Sequence, residues 1–161
     1  MARQYQRQRV RTGLILLVVV MGGFSLVSRS SGNEGEPATA SQLRHVATQF
    51  NLDYQGNDDG LVWERFDAAS KAVITQARYV RWHQDCRTAP GPATILDVSQ
   101  TSSNWWVVTY QISGVTLHDY WHQQDDRWRF SLVRSNPSAV SLYSSTYSAY
   151  AQEMGCALAS R

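Results

Sequence analysis

Between Asn104 and Val133 three successive runs alternate with a period of two, and the stretch carries four of the chain's six tryptophans. In the first run Trp105, Val107, Thr109 and Gln111 share one face while Trp106, Val108, Tyr110 and Ile112 share the other. That is the pattern of a strand, not of a helix. Val115, Leu117, Asp119 and Trp121 then alternate with Thr116, His118, Tyr120 and His122, and Trp128, Phe130 and Leu132 with Arg127, Arg129 and Ser131. Gly114 and the stretch Gln123 to Asp126 mark the connections. Connections this short force antiparallel neighbours, because a parallel pair needs a crossover of about a dozen residues. Ala93 to Gln100, with Ile95, Leu96 and Val98, adds a strand in front, joined through Thr101-Ser102-Ser103. A sheet this aromatic needs a cover, which helices must supply.

The segments on either side have helical periodicity. Ser41 is the expected N-cap of a helix carrying Leu43, Val46, Ala47, Phe50 and Tyr54 on one face and ended by Gly56. Asn57 to Gly60 predicts a turn, and Leu61 to Phe66 a short helix presenting Leu61, Val62, Trp63 and Phe66 inward. Asp67 caps a further turn, Ala68 to Ile74, and Thr75 caps a helix through Cys86 bearing Tyr79, Val80 and His83. Pro90-Gly91-Pro92 ends it. Past the sheet, Asn136-Pro137 starts a helix with Val140, Tyr143, Tyr147, Tyr150, Ala151 and Met154 on one face, broken near Ser144-Ser145 and stopped by Gly155. The fold class is therefore α+β, with three N-terminal helices packed on a curved antiparallel sheet of about four strands, plus a C-terminal helix.

The formal net charge of +2 averages two unlike parts. Residues 1–32 hold five arginines and no acid, whereas the remainder sets ten basic residues against all thirteen acids. The pI near 8.7 is thus no sign of a nucleic-acid surface, which needs a clustered basic face to neutralise phosphates. Arg3, Arg7, Arg9 and Arg11 instead precede Thr12 to Ser28, an uncharged stretch containing the run Leu14 to Met21. As a helix it spans about 25 Å, the lower edge of what crosses a bilayer core. The arginines place the N-terminus in the cytoplasm and the bulk of the chain outside. A signal peptide removed after export is the alternative, which would leave a secreted domain. The sequence favours a retained anchor, because Leu26-Val27-Ser28-Arg29 is a poor cleavage site and Ala38-Thr39-Ala40 lies far downstream. This gives a basic cytoplasmic terminus (residues 1–12), a single transmembrane signal anchor (13–28), a flexible Ser/Gly/Glu/Pro tether (29–40) and an extracytoplasmic domain (41–161). The partners to expect are the membrane and other membrane or envelope proteins, and no cofactor is implied.

Cys86 and Cys156 are the whole cysteine complement. In an oxidising compartment they would pair, closing a loop worth roughly 4 kcal/mol; in the cytosol they would stay buried free thiols. No Cys-x-x-Cys pair is present, so a structural role is preferred over thiol chemistry.

The stretch Val46 to His83, with Phe50-Asn51-Leu52-Asp53-Tyr54-Gln55-Gly56-Asn57-Asp58, then Phe66-Asp67-Ala68-Ala69-Ser70, then Thr75 to Val80, resembles the nuclear transport factor 2-like superfamily, the SnoaL-like or cone-shaped α+β fold. In those domains a helix ends in a Gly-Asp turn, a second leads to an Asp-x-x-Ser segment and a third follows. The resemblance covers roughly residues 41 to 135 and rests more on element order than on a tight motif; Asn136 to Cys156 is an addition to it. It implies a pocket between sheet and helices, and members range from isomerases and hydrolases to non-catalytic binding and assembly domains, so shape does not supply activity.

Several residues are candidates for a site. Catalytic members of the superfamily use carboxylates or His-Asp pairs, for which Asp53, Asp85, Asp97, Asp119 and His83 are available here. Asp119 shares a face with Leu117 and Trp121, where desolvation would raise its pKa and suit it to proton transfer. The plainer expectation is a carboxylate satisfied by a backbone amide or by Arg127 or Arg129. His118 and His122 would share a metal on a helix, but on a strand they stand about 13 Å apart. No metal is expected. Trp105, Trp106, Trp121 and Trp128 either fill the core or line a pocket or partner groove. Since Trp105 and Trp106 face opposite sides, one of them is the interface candidate.

Overall fold

The computed structural model describes residues 35–86 and 91–156. The expected cytoplasmic terminus, the anchor and the tether as far as residue 34 lie outside the described residues. Among those described, no helix is long and apolar enough to cross a membrane. Four helices, α1 (Ala40–Gly56), α2 (Asp59–Glu64), α3 (Ala68–Val73) and α4 (Gln76–Asp85), lead into strands β1 (Ala93–Ser102), β2 (Trp105–Ile112), β3 (Val115–Gln124) and β4 (Arg127–Phe130). Three short helices follow, α5 (Leu132–Ser135), α6 (Pro137–Tyr143) and α7 (Tyr147–Glu153).

The sheet is a four-stranded antiparallel meander in the order β1-β2-β3-β4. Both two-residue hairpins after β2 and β3 use residues at positive φ, Ser113 (49°) with Gly114 (83°), and Asp125 (53°) with Asp126 (55°). Paired left-handed residues make the turn whose twist matches the flanking strands, and Asp tolerates that region through its short polar side chain. The second connection is therefore tighter than the Gln123 to Asp126 loop expected, and both glutamines remain in β3. Register follows the alternation: Trp106 pairs with Trp121, Val108 with Asp119, and Trp121 with Phe130. Val108, Trp121, Trp128 and Phe130 are buried, and the rings of Trp121 and Trp128 are fully so. Phe50 of α1 meets Trp121 edge-on at 5.2 Å and Phe130 at 5.0 Å, and Leu43, Val46 and Ala47 bury the same helix face.

Several boundaries differ from expectation, each for a local reason. Thr39, not Ser41, caps α1 by accepting from the Gln42 N–H at 3.1 Å. Asn57, at φ 70°, takes the left-handed position in place of Gly56 and returns its N–H to the Asp53 carbonyl. Helix α2 starts at Asp59, inside the expected turn, and that phase leaves Leu61 50% exposed while Val62 and Phe66 go inward. Phe66 is past the helix and bridges Phe130 in parallel. Asp67 does cap Ala68 to Val73, through a 2.7 Å bond from the Ser70 N–H, so four helices precede the sheet instead of three. Leu132 belongs to α5, not to the last strand: Ser131 N–H meets the Tyr120 carbonyl, and Ser135 Oγ accepts the Tyr120 N–H at 2.8 Å. The break near Ser144 is present, as is the stop at Gly155, at φ 69°.

The expected tether overlaps a pinned stretch. Glu36 N–H donates to the Asp126 carbonyl, and the Glu36 carboxylate accepts from Arg65 at 2.7 Å and from the Trp128 N–H at 2.6 Å. Trp128 Nε1 donates to the Pro37 carbonyl. A Cβ at Gly35 would stand 2.5 Å from Asp126 Cβ, so this approach requires glycine. Residues 35–39 are therefore part of the domain. Glu36→Ala removes two charge-assisted acceptor contacts and is expected to cost about 1–2 kcal/mol in a denaturant melt.

Candidate functional site

The tryptophans divide as the alternation requires. Trp121 and Trp128 are core, and Trp106, half-buried, faces inward and packs against it, meeting Trp128 edge-on at 5.6 Å. Trp105 stands on the opposite face, with the His122 ring at 4.5 Å and the Arg134 guanidinium over it at 4.6 Å. Arg134 also lies 4.7 Å from the centroid of Tyr120. Around them is an open groove of about 540 Å3, walled by Trp105, Val133, Ala68, Ala69 and Arg134.

One wall of the groove is built by the Asp-x-x-Ser segment. Asp67 accepts from Ser70 and stands 3.4 Å from His122 Nε2. Burial pushes its carboxyl up, but hydrogen bonds from Ser70, Ser131 and His122 outweigh this and leave its pKa below the usual carboxylate value. Ser70 Oγ in turn accepts from the Leu132 N–H at 2.8 Å, tying α3 to the start of α5. His118 bonds Thr109 instead, at 3.1 Å, so the two strand histidines have separate partners. Among the described residues no group of three or more His, Cys, Asp or Glu is placed to hold a metal ion.

The inward titratable groups form a second assembly. Asp119 is buried and accepts from the Tyr110 hydroxyl at 3.2 Å. Desolvation pushes its carboxyl up to about 7, with the Tyr110 bond acting the other way. Burial, and then the neighbouring Asp119 charge, drive the Tyr110 hydroxyl well above its ordinary value. The arginines expected as partners do not reach Asp119. Arg129 is in register with His122 on the outer face and donates to the Glu64 carbonyl.

His83 is 3% exposed, and its Nδ1 lies 3.3 Å from Oδ1 of Asp59, itself 1% exposed. Its Nε2 lies 2.7 Å from the Tyr143 hydroxyl, and the Tyr79 ring packs on it at 4.1 Å. A carboxylate only accepts, which assigns a proton to Nδ1 of His83. The sequence singled out His83 but not Asp59, which sat in an expected turn. Asp53, Asp85 and Asp97 stay outside: Asp53 bonds Gln49 at 2.7 Å and Asp85 pairs with Arg81 at 3.6 Å, and Asp97 lies on β1.

Cys86 and Cys156 form a disulfide with Cα atoms 5.7 Å apart. It joins the end of α4 to Cys156, just past Gly155 behind α7, and the Tyr150 hydroxyl meets the Cys86 carbonyl beside it. Compared with known proteins, the chain matches no family model, no curated protein and no solved structure.

Proposed function

We propose that the chain is a membrane-anchored, extracytoplasmic binding or assembly module of the nuclear transport factor 2-like superfamily, acting without catalysis. In this reading it presents the groove around Trp105 to another membrane or envelope protein. The observation that carries it is the outward Trp105: Trp121 and Trp128 fill the core and Trp106 packs against it, while Trp105 sits beside an apolar groove with a cation over its face. Tryptophan and arginine are the side chains that most often dominate binding energy at interfaces. The disulfide supports the compartment, since such bonds persist in oxidising surroundings, and the arginine-flanked apolar stretch supports the anchor. The groove chemistry calls for an apolar side chain against Trp105 and Val133 next to a carboxylate that meets Arg134.

A photo-reactive residue at position 133, on the wall of the groove beside Trp105 and activated in intact membranes, tests this. It is expected to join one dominant membrane protein, with the product lost in Arg134→Ala and absent from a control at Thr116, which is exposed on the same face. Non-reducing mass analysis of the same sample reads the thiols. Equal products from both positions, or the chain free in the cytosol with both sulfurs reduced, would sink the proposal. Trp105→Ala is expected to abolish the product while changing stability by less than about 1 kcal/mol, because the ring lies outside the core.

A second reading, a SnoaL-like small-molecule enzyme or carrier working through Asp119 or His83, is favoured by one observation. Asp119 is a buried carboxyl beside a tyrosine hydroxyl, with its pKa brought near neutrality. A small molecule that stays with the purified protein in native mass spectrometry and is lost in Asp119→Asn would support it.

A further inference from the structure

Two of the sheet's open edges are guarded and one is not. Strand β1 carries register shifts between Ile95 and Asp97 and between Gln100 and Ser102, and the Arg44 guanidinium takes the Ile95 carbonyl at 3.1 Å. Bulges and covered carbonyls keep an edge from pairing with a neighbour. The far side of β4 is occupied, because Phe130 donates its N–H to the Arg65 carbonyl and accepts from the Asp67 N–H. Strand β4, however, pairs with β3 only from Trp121 to Gln124, so the first half of β3 runs on without it. Ser131 N–H and Ser135 Oγ take up the carbonyl and the N–H of Tyr120, and there the cover stops.

Backbone groups alternate in direction along a strand, so those of His118 and Thr116 point to the same edge as those of Tyr120. Among the described residues nothing donates to them or accepts from them on that side. Val115 and Leu117, 58% and 39% exposed, stand on one face of this stretch. Thr116 and His118, also exposed, stand on the other. The register on β2 is unbroken here, and residues 115–118 include no lysine, proline or acid to turn a strand away.

We propose that this edge pairs antiparallel with the same edge of a second copy of the chain. A strand edge is complementary to itself about a two-fold axis. With the axis at Leu117, Thr116 exchanges both backbone bonds with the partner's His118, and the two Leu117 side chains form the close pair, about 4.5 Å between Cα atoms. On the opposite face Nδ1 of His118 already meets Thr109 at 3.1 Å, which leaves Nε2 for the hydroxyl of the partner's Thr116. No like charges oppose each other across the axis. A foreign strand can use the same backbone groups, but a second copy also sets leucine on leucine and threonine on histidine, which is cross-strand chemistry of the favourable kind. The edge goes beyond the proposed function and does not rest on it, since none of residues 115–118 lines the groove around Trp105.

The full chain in detergent micelles is expected to sediment as a dimer at about 100 μM. Under mild oxidation Leu117→Cys is expected to link two copies about tenfold faster than Thr116→Cys or Val115→Cys, whose own counterparts lie about 7 and 13 Å away along the strands. Thr116→Pro removes only a donor that points out of the sheet, and Leu117→Lys opposes two ammonium groups at an exposed position. Each is expected to lower the dimer fraction about tenfold while the thermal melt of the monomer is kept. Should the proline variant fail to fold, the lysine variant decides. A monomer at about 100 μM overturns the proposal, as does equal linking at the three positions. A dimer that survives Leu117→Lys and is lost in Trp105→Ala also overturns it, because the contact then lies in the groove.

Discussion

Opening the Cys86–Cys156 bond, by reductant or by Cys86→Ser with Cys156→Ser, is expected to lower the stability of the domain by about 4 kcal/mol. The bond spans 70 residues, and a loop that long restricts the unfolded chain strongly. The measurement is a denaturant midpoint with and without reductant. The folded-state consequence is local. Helix α7 has only seven residues, too few to hold helical structure on propensity alone. It stays in place through the disulfide and through Tyr150, whose ring lies 4.9 Å from Trp82. Loss of the bond should therefore raise amide exchange in α7 before α1 or the sheet is affected. Unchanged stability on reduction would show that the aromatic packing of α7 suffices.

Replacing Asp119 with Asn is expected to stabilise the protein above neutral pH. The ordinary value of this carboxyl is 3.8, and burial brings it to about 7. The folded state therefore holds its proton across a window in which the unfolded state has lost it. Within that window stability falls as pH rises, and above about 7 the full penalty is present. Three pH units correspond to about 4 kcal/mol, against which the new amide must find a partner for its N–H groups at about 1–3 kcal/mol. A net gain of about 1–3 kcal/mol at pH 8, shrinking to nothing or reversing by pH 5, is the expected result. Asp67 acts with the opposite sign, since its lowered pKa adds stability that is lost as pH falls below the ordinary carboxylate range. Comparing thermal melts of the wild type and Asp119→Asn at pH 5 and 8 separates the two, because Asp67 is common to both.

Strand pairing was legible because period-two alternation and the short connections leave one way to fold residues 105 to 130. The same pattern put Asp119, Trp121 and Trp128 inward and left one of Trp105 and Trp106 outside. Local spacing could not supply partners distant in the chain. Asp59 looked like a turn residue because Asn-Asp-Asp-Gly is turn chemistry, and only the packing of α2 on α4 brings it to His83. Glu36 sat in a polar Pro/Gly stretch whose composition predicts a tether, and its partners Arg65, Gln123, Asp126 and Trp128 lie 29 and more positions away. Asp67 was legible as a cap, while its approach to His122, 55 residues on, depends on the route of the whole sheet.

The Glu36 clamp has a mechanical consequence. A pull entering from the N-terminal side meets the bonds to Asp126, Trp128 and Arg65 before it reaches the first turn of α1. Load is thus passed to the last hairpin of the sheet and, through Arg65, to the end of α2, and α1 feels no tension until those bonds yield.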